Sequence, residues 1–179
     1  MVVALIVAAM AAACGSNQAT GSPTAPPASP TGSALVGPAT PTPTPWPEDV
    51  ARAIIRLGAM HGELGKAIGE LGGAVQREDV AEIRSVADEL ADFLERNLEN
   101  ARTLEAKTFP ELGRPLVAAL TKLRDGAVRI RDGIDKGDAS AIEAGFTTIT
   151  EGMRDYAAVQ PQVADLVPEA IRQTGGLVR

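Results

Sequence analysis

Residues 50–75 read VARAIIRLGAMHGELGKAIGELGGAV. Within this stretch Val50, Ile54, Leu57, His61, Leu64, Ile68, Leu71 and Val75 step alternately by four and three, the spacing that lines one face of an α-helix. The charges of Arg52, Arg56, Glu63, Lys66 and Glu70 fall between those positions. A long amphipathic helix is therefore the starting point for the fold.

Moving outward, the same periodicity returns three times. Val80, Ile83, Ala87, Leu90, Leu94, Asn97 or Leu98, Ala101 and Leu104 predict a second helix, with Asp79 and Glu82 at capping-box spacing at its start. Leu116, Leu120, Leu123, Ala127, Ile130 and Ile134 predict a third from about Arg114 to Lys136. Thr108 and Glu111 offer another capping box, but Pro115 should break a helix begun there, so a short turn is expected first. A fourth helix starts at Asp138 and buries Ile142, Phe146, Ile149, Met153 and Tyr156. Pro161 is expected to kink or end it, leaving a short C-terminal piece from Val163 to Ile171 that Pro168 interrupts.

Short links near residues 76–78 and 137 force consecutive helices to lie antiparallel, so the expected fold is all-α: an up-down-up-down four-helix bundle over residues 47–179. A shift of 59 residues maps Leu57 onto Leu116, Leu64 onto Leu123, Leu71 onto Ile130, Val75 onto Ile134, Asp79 onto Asp138 and Ile83 onto Ile142. That register suggests a duplicated αα-hairpin, although any two heptad hairpins can be slid into partial alignment. No strand pattern or Gly-rich phosphate loop interrupts the helical reading.

The most unusual feature of the body is a glycine stripe. Gly58, Gly62, Gly65, Gly69 and Gly72 run at steps of four and three, one position after the apolar seam. Each costs a helix about 1 kcal/mol relative to alanine, so something should offset the stripe. Either a neighbouring helix of the same chain approaches closely, or the face receives a partner helix or a second copy of the chain. Glu63, Lys66 and Glu70 exclude a membrane-embedded glycine motif.

His61 is the lone imidazole and falls on the apolar seam, in the same expected layer as Leu94, Leu120 and Met153. His61 and Met153 are thus candidate axial ligands for haem, or ligands for copper, an arrangement that resembles the b-type cytochromes built on four-helix bundles. The resemblance is of ligand type and fold alone. The plainer reading makes His61 a core side chain hydrogen-bonded to Asn97 or a backbone carbonyl, with Met153 as filler. Asp88, Asp92, Glu95 and Glu99 form a carboxylate row on the second helix, and the excess of bases on the third explains it by charge complementarity; a weak divalent-cation surface is the alternative.

All charge in the chain, 17 Lys and Arg against 23 Asp and Glu for a net of −6, lies after Pro47. The uncharged leader divides at Cys14, the sole cysteine. Val2 to Ala13 is a run of small and apolar residues too short to span a bilayer, as in the core of a signal peptide over residues 1–13. No basic residue precedes the run, so further residues are expected upstream. Ala11-Ala12-Ala13-Cys14 resembles the lipobox of bacterial lipoproteins. That resemblance implies cleavage before Cys14, a thioether-linked lipid on its sulfur, palmitate among its acyl chains, and a position on the extracytoplasmic side of a bacterial cell membrane. Residues 14–46, rich in Pro, Thr, Ser and Ala, are expected to form an extended linker; about thirty residues at ~3.1 Å each reach roughly 90 Å. Trp46, at its end, is expected to pack on the bundle and fix where the tether leaves.

Taken as chemistry, one Cys and one His exclude disulfide scaffolds, multi-Cys zinc sites and Cys/His nucleophilic dyads. The arginines are scattered among acids, which argues against nucleic-acid binding. The residues thus point to a non-enzymatic binding or interaction module held at a membrane, with no catalytic residues assigned, and with a His/Met haem or copper protein as the alternative class.

Overall fold

A computed structural model describes residues 45–175. Four helices account for nearly all of them: α1 (Glu48–Gln76), α2 (Val80–Lys107), α3 (Pro110–Lys136) and α4 (Ala139–Gln173). Consecutive helices pack against each other and α4 closes on α1, giving an antiparallel four-helix bundle with no strand among the described residues. The signal-peptide segment 1–13, Cys14 and the linker up to residue 44 lie outside the described residues.

Most of the expected seam positions form the core, with Ile68, Ile134, Ile142 and Met153 half-buried at its edge. Val50, Ile54, Leu57, Leu64 and Leu71 on α1 are sealed from solvent, as are Leu90, Leu94, Leu98, Ala101 and Leu104 on α2 and Leu116, Leu120, Leu123, Ala127 and Ile130 on α3. No buried polar or charged side chain interrupts the core among the described residues. Burying this much aliphatic surface at about 25 cal/mol per Å² is what holds four helices together whose individual propensities are modest. Val80 is the exception on α2: it sits at the first helical position and is 58% exposed.

The two hairpins share equivalent caps. Asp79 accepts a hydrogen bond from the Glu82 amide at 3.0 Å, and Asp138, 59 residues later, accepts one from the Ala141 amide at 3.0 Å. Just before each cap the chain turns through the left-handed region, at Glu78 (φ 56°) and at Gly137 (φ 66°). Glycine is at ease there, whereas a Cβ costs Glu78 about 1 kcal/mol or more.

Two expectations about proline are corrected. α3 begins at Pro110, with Phe109 as its N-cap residue, and runs through Pro115. α4 runs unbroken through Pro161 and Pro168 to Gln173, so the expected separate C-terminal piece is the last part of this helix. All three internal prolines are exposed, and so are Glu111, Ala157 and Ala164, whose carbonyls lose their helical donors. Solvent is open to these residues, so water can serve those carbonyls in place of the lost donors, while buried Leu116, Tyr156, Val159, Val163 and Ala170 pack the same helices into the core. Proline removes one helical hydrogen bond at each position, and here the residues that lose a donor are on the exposed side of the helix.

Candidate functional site

The glycine stripe of α1 proves to be a surface. A Cβ added at Gly62, Gly65 or Gly69 would meet no atom of the described residues within 4 Å, and all three glycines are exposed among them. Gly58 differs: its Cβ would lie 2.6 Å from Val167 Cγ2 of α4. Gly72 is half-buried. Close packing within the chain therefore accounts for Gly58 and leaves the run from Gly62 to Gly69 facing solvent.

The glycines that permit close helix approach are elsewhere, on α3 and α4. At Gly126 a Cβ would stand 2.7 Å from Ile149 Cγ1 and 2.9 Å from the Gly145 carbonyl oxygen. At Gly145 it would stand 2.6 Å from Ile130 Cγ1 and 2.8 Å from the Gly126 carbonyl oxygen. Gly152 meets Leu123 and Gly133 meets Ile142 in the same way, at 2.8 and 2.9 Å. The sequence carried a signal for this seam, since Gly126 and Gly133 on α3 and Gly145 and Gly152 on α4 are each one heptad apart.

His61 is not in the core. It is exposed on the α4-facing shoulder of α1, its ring stacked on Tyr156 with centroids 6.0 Å apart and planes at 23°. The core position that the seam assigned to it belongs to Met60, which is 2% exposed. The two are adjacent, and burying a thioether leaves no polar atom to satisfy whereas burying an imidazole does. Met153 is half-buried beside the core. The two candidate ligands therefore do not face each other across the interior, and fully buried Leu94 and Leu120 fill the layer where a macrocycle would have to lie. Nor does His61 bond to Asn97, whose amide donates to the Phe93 carbonyl at 2.9 Å. Tyr156 beneath the imidazole is 3% exposed, and desolvation pushes its phenol up to about 12.

The acidic row on α2 is matched by α3. Arg131 donates to Asp88 at 3.0 Å and Arg124 to Glu95 at 2.6 Å, while Glu99 lies 3.8 Å from Arg102 of its own helix. Arg84 makes a two-pronged contact with Asp135 at 2.7 and 3.2 Å, which holds that carboxyl below its ordinary range. Complementarity with α3 thus accounts for Asp88 and Glu95, while Glu99 is matched within α2 and Asp92 makes no ion pair among the described residues. Among the described residues no group of three or more His, Cys, Asp or Glu is placed to hold a metal ion.

Trp46 packs where expected. Its ring meets Phe109 of the α2–α3 turn edge-on, with centroids 5.2 Å apart at 89°, and its amide donates to Gln173 at the end of α4 at 2.7 Å. Lys107 bonds to Asp49 at the same end. The segment preceding α1 is thus fastened to the end of the bundle that also carries the end of α4.

Between α1 and α2 the packing opens into two neighbouring surface cavities of about 320 and 370 Å³, which share Glu63 and Arg96 on their walls. At 100° per residue, Arg56 and Glu63 on the α1 wall point about 100° or more away from Gly62, Gly65 and Gly69, whereas Ala59 and Lys66 come within about 60° of Gly62. α1 accordingly offers two faces, a glycine stripe and a polar groove, that adjoin near Lys66. Among the described residues the exposed large apolar side chains are Val80 and Ile171, on neither face, and no helix is long and apolar enough to cross a membrane. Compared with protein-family models, curated proteins and solved structures, the chain gives no match.

Proposed function

We propose that this protein is an extracytoplasmic lipoprotein, anchored in a bacterial cell membrane through lipid on Cys14, whose linker presents the helical bundle as a non-enzymatic binding module. The anchor rests on the apolar run ending in Ala11-Ala12-Ala13-Cys14 and on the uncharged Pro/Thr segment behind it. The observation that carries the module reading is the solvent-facing stripe Gly62, Gly65 and Gly69. Three glycines on the exposed face of a helix cost about 3 kcal/mol against alanine, and no contact among the described residues offsets them. A partner helix laid along that face would, because missing side chains let two backbones approach closely. The partner in this reading is a helical protein or a second copy of the chain.

Native mass spectrometry of the protein extracted in detergent from its host membranes tests both parts. The expected species begins at Cys14, carries a diacylglyceryl thioether, and retains a bound protein that Gly65→Leu releases. An unlipidated chain retaining residues 1–13 overturns the anchor. A lipidated monomer that Gly65→Leu leaves unchanged overturns the glycine contact face.

A further inference from the structure

The polar groove between α1 and α2 carries a feature separate from the glycine face. Most lysines and arginines of the described chain hold a carboxylate in an ion pair; Arg56, Arg96, Arg129 and Lys136 do not. In a chain with an excess of acids this calls for a cause. Arg96 has Asp92 four residues before it and Glu99 three residues after it, the spacings at which helical ion pairs close, yet it pairs with neither. Two of the four unpaired bases, Arg56 from α1 and Arg96 from α2, line the same cavity of about 320 Å³.

The rest of the lining suits a small organic anion. Met60 and Ala59 supply apolar wall, and Asn97 and Asn100 supply carboxamides. The Asn97 amide nitrogen is partly spent on Phe93, which fixes its orientation and leaves one N–H and the carbonyl oxygen available. Asn100 makes no side-chain hydrogen bond within the described residues, so its whole amide is available. Glu63 stands at the junction with the second cavity, so the lining combines two guanidiniums with one carboxylate. The planar fork of arginine matches a carboxylate in a bidentate pair, and the volume falls at the lower end of metabolite pockets.

We propose that the α1–α2 groove is a binding site for a small organic carboxylate, clamped by Arg56 and Arg96 and oriented by Asn97 and Asn100. Glu63 favours a ligand that also carries a hydroxyl or ammonium donor. The site is independent of the membrane anchor and of any association through the glycine face.

The test is a ¹⁵N NMR titration of the full chain in detergent at constant ionic strength, using glutarate, its neutral diamide and inorganic phosphate as probes. Glutarate is expected to shift the side-chain signals of Arg56, Arg96, Asn97 and Asn100 saturably. Arg56→Gln and Arg96→Gln should each weaken it about tenfold, the loss of one charge-assisted hydrogen bond, while Arg129→Gln leaves it unchanged. All three arginine positions are on the surface, so the variants should fold, which circular dichroism checks. Shifts that grow without saturation across all arginines, or that persist in Arg96→Gln, overturn the site. Equal binding of the diamide or of phosphate overturns the carboxylate assignment.

Discussion

The two sets of glycines make opposite demands on the same substitution. Replacing Gly62, Gly65 and Gly69 together by alanine adds three methyl groups that touch nothing, and each recovers about 1 kcal/mol of helix propensity. The triple variant should be about 2–3 kcal/mol more stable than the parent. Gly126→Ala earns the same propensity term but drives a methyl to 2.9 Å from both the Gly145 carbonyl and the Ile149 amide nitrogen. Those are backbone atoms of the facing helix and cannot rotate away, so α3 and α4 must separate. Overpacking of this kind costs about 3 kcal/mol at the upper end of its range, leaving a net loss of roughly 2 kcal/mol. Urea unfolding followed by circular dichroism reads both effects. With a slope of about 2 kcal/mol per molar, the midpoints should move by roughly 1 M in opposite directions. A Gly126→Ala chain as stable as the parent would refute the close approach of α3 and α4. A destabilised triple variant would refute the solvent-facing placement of the α1 stripe.

Glu78→Gly should stabilise the bundle by about 1 kcal/mol in the same urea assay, because it relieves a Cβ in the left-handed region that the second hairpin avoids with Gly137. Trp46→Ala should cost about 2 kcal/mol through loss of the edge-on contact with Phe109 and partial burial, with Trp46→Phe recovering part of it. With Trp46 kept, emission from this one indole should shift to the red when Phe109→Ala removes the ring it packs against. Acid should weaken the fold: Lys107, Arg84 and Lys122 hold Asp49, Asp135 and Asp155 below 3.8, so the folded chain binds fewer protons there than the unfolded one. Their contribution is complete above the unfolded carboxylate range and is lost as pH falls through and below about 4, so the urea midpoint should drop between pH 5 and pH 3 and drop less in Asp135→Asn.

Periodicity made the helices and most of the core legible in the sequence, because an aliphatic residue repeated every three to four positions has one stable use in water. Where two adjacent residues competed for one core position, periodicity could not choose. At 60 and 61 and at 97 and 98 the chain buries Met60 and Leu98 and leaves His61 exposed and Asn97 half-buried. Desolvation settles both cases, and applying it to the seam would have moved His61 outward. The prolines misled for a related reason. Their cost depends on whether the carbonyl four residues earlier is wet, which depends on helix rotation in the assembled bundle.

The glycines show what a single-helix pattern leaves undetermined. A dense stripe on α1 announces a missing row of side chains but says nothing of what lies opposite, and the structure puts solvent there. On α3 and α4 the pattern is sparser, yet it occurs on two helices that a short link makes antiparallel, so the two rows of glycines can face each other and do. Mutual placement, rather than density, is the informative sign. The same holds for Arg56 and Arg96, which look like ordinary surface bases in sequence. Their distinction is relational: they line one cavity, and the acids near them in sequence are not their partners. The second hairpin is drawn together by glycines, whereas the first carries both the open glycine face and the unpaired arginines, so the tight seam and the two proposed contact faces lie on different helices. Substitutions at the α3–α4 seam should therefore lower stability, whereas alanines on the α1 stripe should raise it.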